Sequence, residues 1–177
     1  MIRGIVLAAG ASRRMGCDKL QLPWRGSTVL EATLARWLAV PALDEILLVR
    51  RRREPSERWP RVRVVVNPAP DEGLGSSLRL AARAAPADTA AVVVGLADMP
   101  EVLAATVDGL VAAFRAHGPR AIVAPVFAGQ RGHPVVFGAA HLPALAALAG
   151  DAGARAVLRD AAAVRLAGWL KAHVPPL

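Results

Sequence analysis

Cysteine is almost absent. Cys17 is the single one in 177 residues, which excludes an internal disulfide framework and a cysteine-built zinc cluster. One thiol suits a reducing compartment, and the cytoplasm is the expected location. Lysine is nearly as scarce: of 22 basic residues, only Lys19 and Lys171 are lysines. Acidic residues number 14, so the net charge is +8. The arginine bias accompanies abundant alanine and reads as genome composition. The basic residues are dispersed and no recognition motif is visible, so nucleic acid is not expected as a partner. No secretory pattern is visible, because the apolar run Ile5 to Ala9 is short and meets Gly10 at once. The longest uncharged stretch, Gly132 to Gly150, holds Pro134 and Pro143 with two histidines. It reads as a buried strand, a turn and a helix, not as a membrane span.

What is present is ample core material. Apolar residues make up 54% and charged residues 20%, and the length suits one domain spanning 1–177. Short apolar runs rich in β-branched residues recur at Ile2 to Ala8, Ile46 to Val49, Val62 to Val66, Ala91 to Leu96, Ala121 to Val126 and Pro134 to Phe137. Between them fall helical stretches: Ser27 or Thr28 to about Ala39, Gly75 to Ala85, Leu103 to His117, His141 to Leu148 and Gly153 to Ala162. Near-continuous apolar strands separated by helices predict an α/β three-layer sandwich around a mostly parallel, Rossmann-like sheet. The run Arg50 to Arg53 reads as a solvated loop more readily than as a patch for an anionic partner.

In an open parallel sheet, ligands lie outside the carboxyl ends of the strands. Four polar segments fall at or near such positions. The first, Leu7 to Lys19, follows the opening strand. Its Gly10 and Gly16 let the backbone approach a phosphate, and Arg13, Arg14 and Lys19 supply positive charge. It is neither a Walker A loop nor G-x-G-x-x-G. We read it as a triphosphate-binding loop. The second, Asn67 to Leu78, offers glycines, the Ser76 and Ser77 hydroxyls and a helix N-terminus; taken alone, it is ordinary turn and capping chemistry. The third ends a strand with Asp98, which would be either a Mg²⁺ ligand or an N-cap ahead of Pro100, or both. The fourth comprises His133, which could bond an acceptor, and Asp151 with Arg155, which could grip an anion. On the residues alone, a strand entry and a helix capped by Asp151 account for it better.

At these positions the chain resembles the MobA-like nucleotidyltransferases. The opening motif is Leu7-Ala8-Ala9-Gly10-x-Ser12-x-Arg14-Met15-Gly16-x-x-Lys19. The later segments Asn67 to Leu78, Leu96-Ala97-Asp98-Met99-Pro100, Gly132-His133-Pro134 and Gly150-Asp151-x-Gly153-Ala154-Arg155 are similar to its molybdenum cofactor cytidylyltransferase branch. The resemblance implies the nucleotide-diphosphosugar transferase fold. It also implies transfer of CMP from CTP to the phosphate of molybdopterin, with Mg²⁺. Leu7, Ala8, Ala9 and Gly10 would then lie against the nucleotide and Gly16 in the phosphate loop. Arg14 and Lys19 would steady the phosphates. Asn67 and the stretch containing Gly73, Gly75, Ser76 and Ser77 would border the nucleoside, and Asp98 would hold the metal. His133, Asp151 and Arg155 would face the pterin. Ala9, where guanine-using relatives more often carry glycine, points to cytosine.

One departure stands out. Relatives usually end with a strand and an acidic segment that adds a contact near the metal, whereas here no acid follows Asp160. Two other readings therefore remain in view. One is a guanylyl or sugar-phosphate transferase of the same fold. The other is a non-catalytic carrier that delivers the cofactor to a molybdenum hydroxylase.

Overall fold

The structure, a computed structural model, describes residues 1–10, 18–54, 59–127, 129–149, 154–160 and 163–167. Strand β1 (Ile2–Ala8) is buried along its whole length, as a central parallel strand must be. A hairpin follows, β2 (Pro23–Trp24) with β3 (Ser27–Thr28). Its turn residues Arg25 and Gly26 have φ of 45° and 87°, the left-handed pair that a two-residue turn between twisted strands requires. Helix α1 (Val29–Leu38) opens with a reciprocal cap. Glu31 N–H donates to the Thr28 hydroxyl, and Thr28 N–H donates to the Glu31 carboxylate. The chain continues through β4 (Glu45–Arg50), β5 (Val62–Val66), α2 (Leu74–Ala84), β6 (Ala91–Leu96), α3 (Ala104–His117) and β7 (Ile122–Phe127). It closes with β8 (Gln130–Arg131), β9 (Val135–Gly138), α4 (Leu142–Ala146), α5 (Arg155–Asp160) and β10 (Ala163–Ala167).

The main sheet runs β10-β7-β9-β6-β1-β4-β5, with β8 paired to β7. All pairings are parallel except those of β8 and β9. Alternate residues of β1 feed two separate cores. Ile2 and Val6 meet Leu34 and Trp37 of α1 and Leu110 and Phe114 of α3 on one face. On the other face, Ile5 and Leu7 meet Leu78 and Ala81 of α2, Leu145 of α4 and Val157 of α5. This is the expected three-layer α/β sandwich.

Trp37, 2% exposed, lies against Gly4 of β1 and Gly95 of β6. A Cβ at Gly4 would sit 3.0 Å from the indole, and one at Gly95 would overlap it. The two glycines make a flat seat on adjacent strands for the largest fully buried side chain among the described residues.

The structure corrects two readings and adds one strand. Asp98 caps no helix: α3 begins six residues later at Ala104, with Leu103 at its cap position. Arg50 is not solvated but buried at the end of β4. Strand β10, which the composition of 163–167 had not suggested, extends the sheet beside β7. The strand at β9 was foreseen, and its direction is antiparallel to both neighbours.

Candidate active site

Strand order reverses at β1, which has β4 and β5 on one side and β6 on the other. Helices on both faces diverge there and leave a crevice at the carboxyl ends. A cleft of about 410 Å³ opens at that point. Leu7, Ala8, Ala9 and Gly10 form its floor from the end of β1. Gly73, Leu74 and Ser77 bring in the first turn of α2, whose backbone N–H groups and dipole favour an anion. Lys19, Leu20, Leu96 and Asp98 complete the opposite rim.

Lys19 reaches the rim from a short 3₁₀ turn, Lys19–Gln21. The Asp18 carboxylate accepts from Leu20 N–H at 3.0 Å, and the buried Leu20 side chain pins the turn to the core. Asp98 is placed by the strand and the helix beneath it. Ala97 N–H donates to the Leu7 carbonyl at 3.1 Å. The buried Thr33 hydroxyl of α1 lies 2.8 Å from the Ala97 carbonyl. The result brings Lys19 Nζ and Asp98 Oδ2, 79 residues apart, to 2.5 Å. Their side chains remain 39% and 33% exposed, so both can still meet a ligand from solvent.

Gly10 carries a separate signal. A Cβ built there meets nothing within 4 Å among the described residues. The packing of the described residues places no demand for glycine at this point, and Gly10 lines the cleft. Gly73 differs: its φ of 97° is left-handed, and the turn itself favours glycine.

Other expected residues stand apart from the cleft wall. Asn67 is 1% exposed and donates to the Ser76 and Ser77 hydroxyls at 2.8 and 3.0 Å, while its Oδ1 accepts from Ala69 N–H. With buried Gly75 and Ser76 it braces the 67–77 loop from behind. His133 is half-buried and does not line the cleft. Its Nδ1 is enclosed, with no partner of hydrogen-bond geometry among the described residues. Burial pushes its pKa below the ordinary imidazole value, against the opposing pull of the Val94 backbone and the Asp98 charge. Arg155 is exposed at the first position of α5. Arg14, Gly16 and Asp151 lie outside the described residues.

Arg51 is a contributor that the sequence reading missed. Its Nε donates to the Ala9 carbonyl at 3.2 Å and its Nη2 to Asp71 at 2.6 Å. One side chain thus ties the floor of the cleft to the 3₁₀ turn Pro70–Glu72 on its far wall. No local pattern could reveal this, because both partners are remote in sequence.

An open cleft at a sheet switch point, walled by a helix N-terminus and a paired cation and carboxylate, is the place where α/β proteins of this topology hold nucleotides. The MobA-like NTP transferase domain profile matches residues 4–166, and the chain belongs to that family. It is a nucleotidyltransferase. The chain is 34% identical to nicotine blue oxidoreductase of Paenarthrobacter nicotinovorans, over 90% of this chain and 82% of that one. It is 32% identical to the purine catabolism protein PucB of Bacillus subtilis, over 89% and 80%. The molybdenum cofactor cytidylyltransferase of Escherichia coli is 31% identical over 75% and 67%. Among solved structures, Rv0371c of Mycobacterium tuberculosis superposes with a TM-score of 0.80 at 30% identity, covering 94% of this chain and 87% of that one. A second structure of Rv0371c is a manganese complex. Among the described residues no helix is long and apolar enough to cross a membrane.

Proposed function

We propose that this chain transfers CMP from CTP to the phosphate of molybdopterin and releases pyrophosphate. The observation that carries the reading is the Lys19–Asp98 pair at the rim of a cleft floored by residues 7–10. The choice of acceptor is supported by the cytidylyltransferase relative and by the Gly132-His133-Pro134 and Ala154-Arg155 segments. Ala9 on the cleft floor supports cytosine over guanine.

In this reaction an oxygen of the acceptor phosphate attacks the α-phosphorus of CTP. A new P–O bond forms, the bond to the β-phosphate breaks in line, and pyrophosphate leaves. The nucleophile is already an oxyanion, so no strong general base is needed. The difficulty is bringing two polyanions together. Lys19 holds positive charge against the phosphates as their charge shifts, and the first turn of α2 offers backbone N–H groups.

The residues present suit a divalent cation that shares its ligands with a nucleotide. Asp98 supplies one partly exposed carboxylate, and no cluster of three or more ligating side chains occurs among the described residues. Mg²⁺ commonly takes one or two carboxylates together with phosphate oxygens and waters. When bound there on Asp98, it would neutralise phosphate charge during transfer.

Pyrophosphate release assayed with CTP, GTP and other triphosphates, against molybdopterin and sugar phosphates, tests the proposal. CTP with molybdopterin is expected to give the highest kcat/KM. A preference for GTP or for a sugar phosphate would overturn the assignment.

A further inference from the structure

Two acidic residues stand side by side in the 3₁₀ turn Pro70–Glu72, and each is held by an arginine from a different part of the chain. Arg79 of α2 donates to the Glu72 carboxylate at 2.9 Å and to the Leu148 carbonyl, just past α4, at 2.9 Å. It belongs to the helix that the turn leads into. Gly73 N–H donates to the Pro70 carbonyl, and the Ser76 hydroxyl lies 3.1 Å from the Ala69 carbonyl. The 3₁₀ turn and the start of α2 are therefore one piece of cleft wall. Arg51 joins that piece to the sheet. Its root is fixed, because β4 pairs with β5 as far as Arg50 opposite Val66, and the Arg50 carbonyl accepts from Asn67 N–H at 2.8 Å. From there the guanidinium spans from the Ala9 carbonyl on the cleft floor to Asp71 on the wall. Among the described residues, no other side chain bonds both floor and wall.

Two features separate this bridge from a brace that serves the fold. The side chains of Arg51 and Asp71 are 39% and 55% exposed, and ion pairs that open to solvent contribute little to stability. Both end points of the bridge line the cleft, whereas Arg51 is not among the residues that do. An acid at the edge of a site for a polyanion works against its ligand by charge alone. Here the Asp71 carboxylate is an anchor, and the gap it helps to set lies between the end of β1 and the backbone N–H groups that open α2. We propose that Arg51 is a positioning residue for nucleotide binding. It holds the floor and the α2 wall at the separation that a triphosphate requires, acting through Ala9 and Asp71 and not by touching the ligand. A guanidinium suits this task, since its planar fork makes two bonds in fixed directions and an ammonium on a flexible stem does not. The inference rests on the reading that this cleft takes a nucleoside triphosphate.

The signs of two substitutions test it. The full chain, with Mg²⁺, is titrated calorimetrically with the α,β-methylene analogues of CTP and GTP. The proteins compared are wild type, Arg51→Met, Asp71→Asn, the double variant and Arg51→Lys. If the pair acted only by charge, Arg51→Met would weaken binding of the anion and Asp71→Asn would strengthen it. A positioning role weakens binding in both, by roughly tenfold, the scale of a lost hydrogen bond to a charged group. The double variant should lose no more than the worse single variant, because both break one bridge. Arg51→Lys keeps the charge without the fork and should recover at most part of the loss. Tm should stay within a few degrees of wild type throughout. The inference is overturned by tighter binding in Asp71→Asn, by additive losses, by full affinity in Arg51→Met or Arg51→Lys, by a Tm loss that parallels the affinity loss, or by a wild type that binds neither analogue. A wild type that binds with the expected pattern among the variants, yet releases no pyrophosphate from CTP with molybdopterin, refutes the transfer reaction and leaves Arg51 its role. Normal binding in Arg51→Met, beside a wild type that turns over, does the reverse.

Discussion

Replacing Lys19 with methionine separates catalysis from stability. The Lys19–Asp98 contact is short, at 2.5 Å, but its side chains are 39% and 33% exposed. Solvent at that exposure screens the pair, and exposed ion pairs contribute about 0–1 kcal/mol to folding. Asp98, left alone, stays hydrated and does not become a buried unpaired charge. Lys19→Met should therefore cost less than about 1 kcal/mol of stability, a shift of a few degrees in Tm for a chain of this size. The rate should respond on another scale. A charge fixed beforehand where phosphoryl charge develops is typically worth about a hundredfold or more in kcat. Steady-state pyrophosphate release measures the rate, and calorimetry or circular dichroism measures Tm. Turnover within a few-fold of wild type would refute the reasoning. So would a Tm loss large enough to account for missing activity, since the pair would then serve the fold and not the reaction.

Other outcomes follow from the same geometry. Gly10→Ala, whose new methyl meets none of the described residues, should leave Tm unchanged and raise KM for the triphosphate severalfold; a lower Tm with normal KM would contradict it. Gly95→Ala should destabilise by about 1–3 kcal/mol in urea melts, because the methyl meets the buried Trp37 ring; an unchanged midpoint would show that the indole has room to move. Stability should also fall in acid through Glu45. Burial raises its pKa, but bonds to Arg63 and Arg3 outweigh this and leave it below 4.5. A lowered carboxylate stabilises the fold above the ordinary value, and that contribution drains away as pH falls through 4.5 and below. Glu45→Gln should flatten that limb of the pH–stability curve, and an unchanged limb would contradict it.

Much of this architecture can be read without coordinates, for local reasons. Strands β1, β4 and β6 are apolar runs buried in a parallel sheet, β5 is a valine-rich, half-buried strand at its edge, and Thr28 with Glu31 spells out a helix start. Strand β10 escapes because Ala163-Val164-Arg165-Leu166-Ala167 is short and alanine-rich, with too little apolar bulk to mark it. The reversed direction of β9 is set by its pairing with β6 and β7, which no pattern within Val135–Gly138 records. The site divides in the same way. The rule about carboxyl ends draws attention to Gly10 and Asp98 separately, and only the fold closes 79 residues into a contact with Lys19. Asn67 and Ser76 lie in the expected loop yet point inward, because a buried amide needs hydroxyl partners and the loop supplies them. Arg50 and Arg51 carry the same side chain in adjacent positions, one enclosed and one clamped between two loops.

The seat of Trp37 also sets how this protein can drift in sequence. Bulk on the helix is matched by its lack on two strands, so either partner altered singly meets a penalty of opposite kind, crowding or a void. Trp37→Leu and Gly95→Ala should each be harmful alone and milder together, a compensated exchange of volume across the sheet. Because Gly95 stands three residues before Asp98, such exchanges reach the reacting end of the molecule through its interior upholstery.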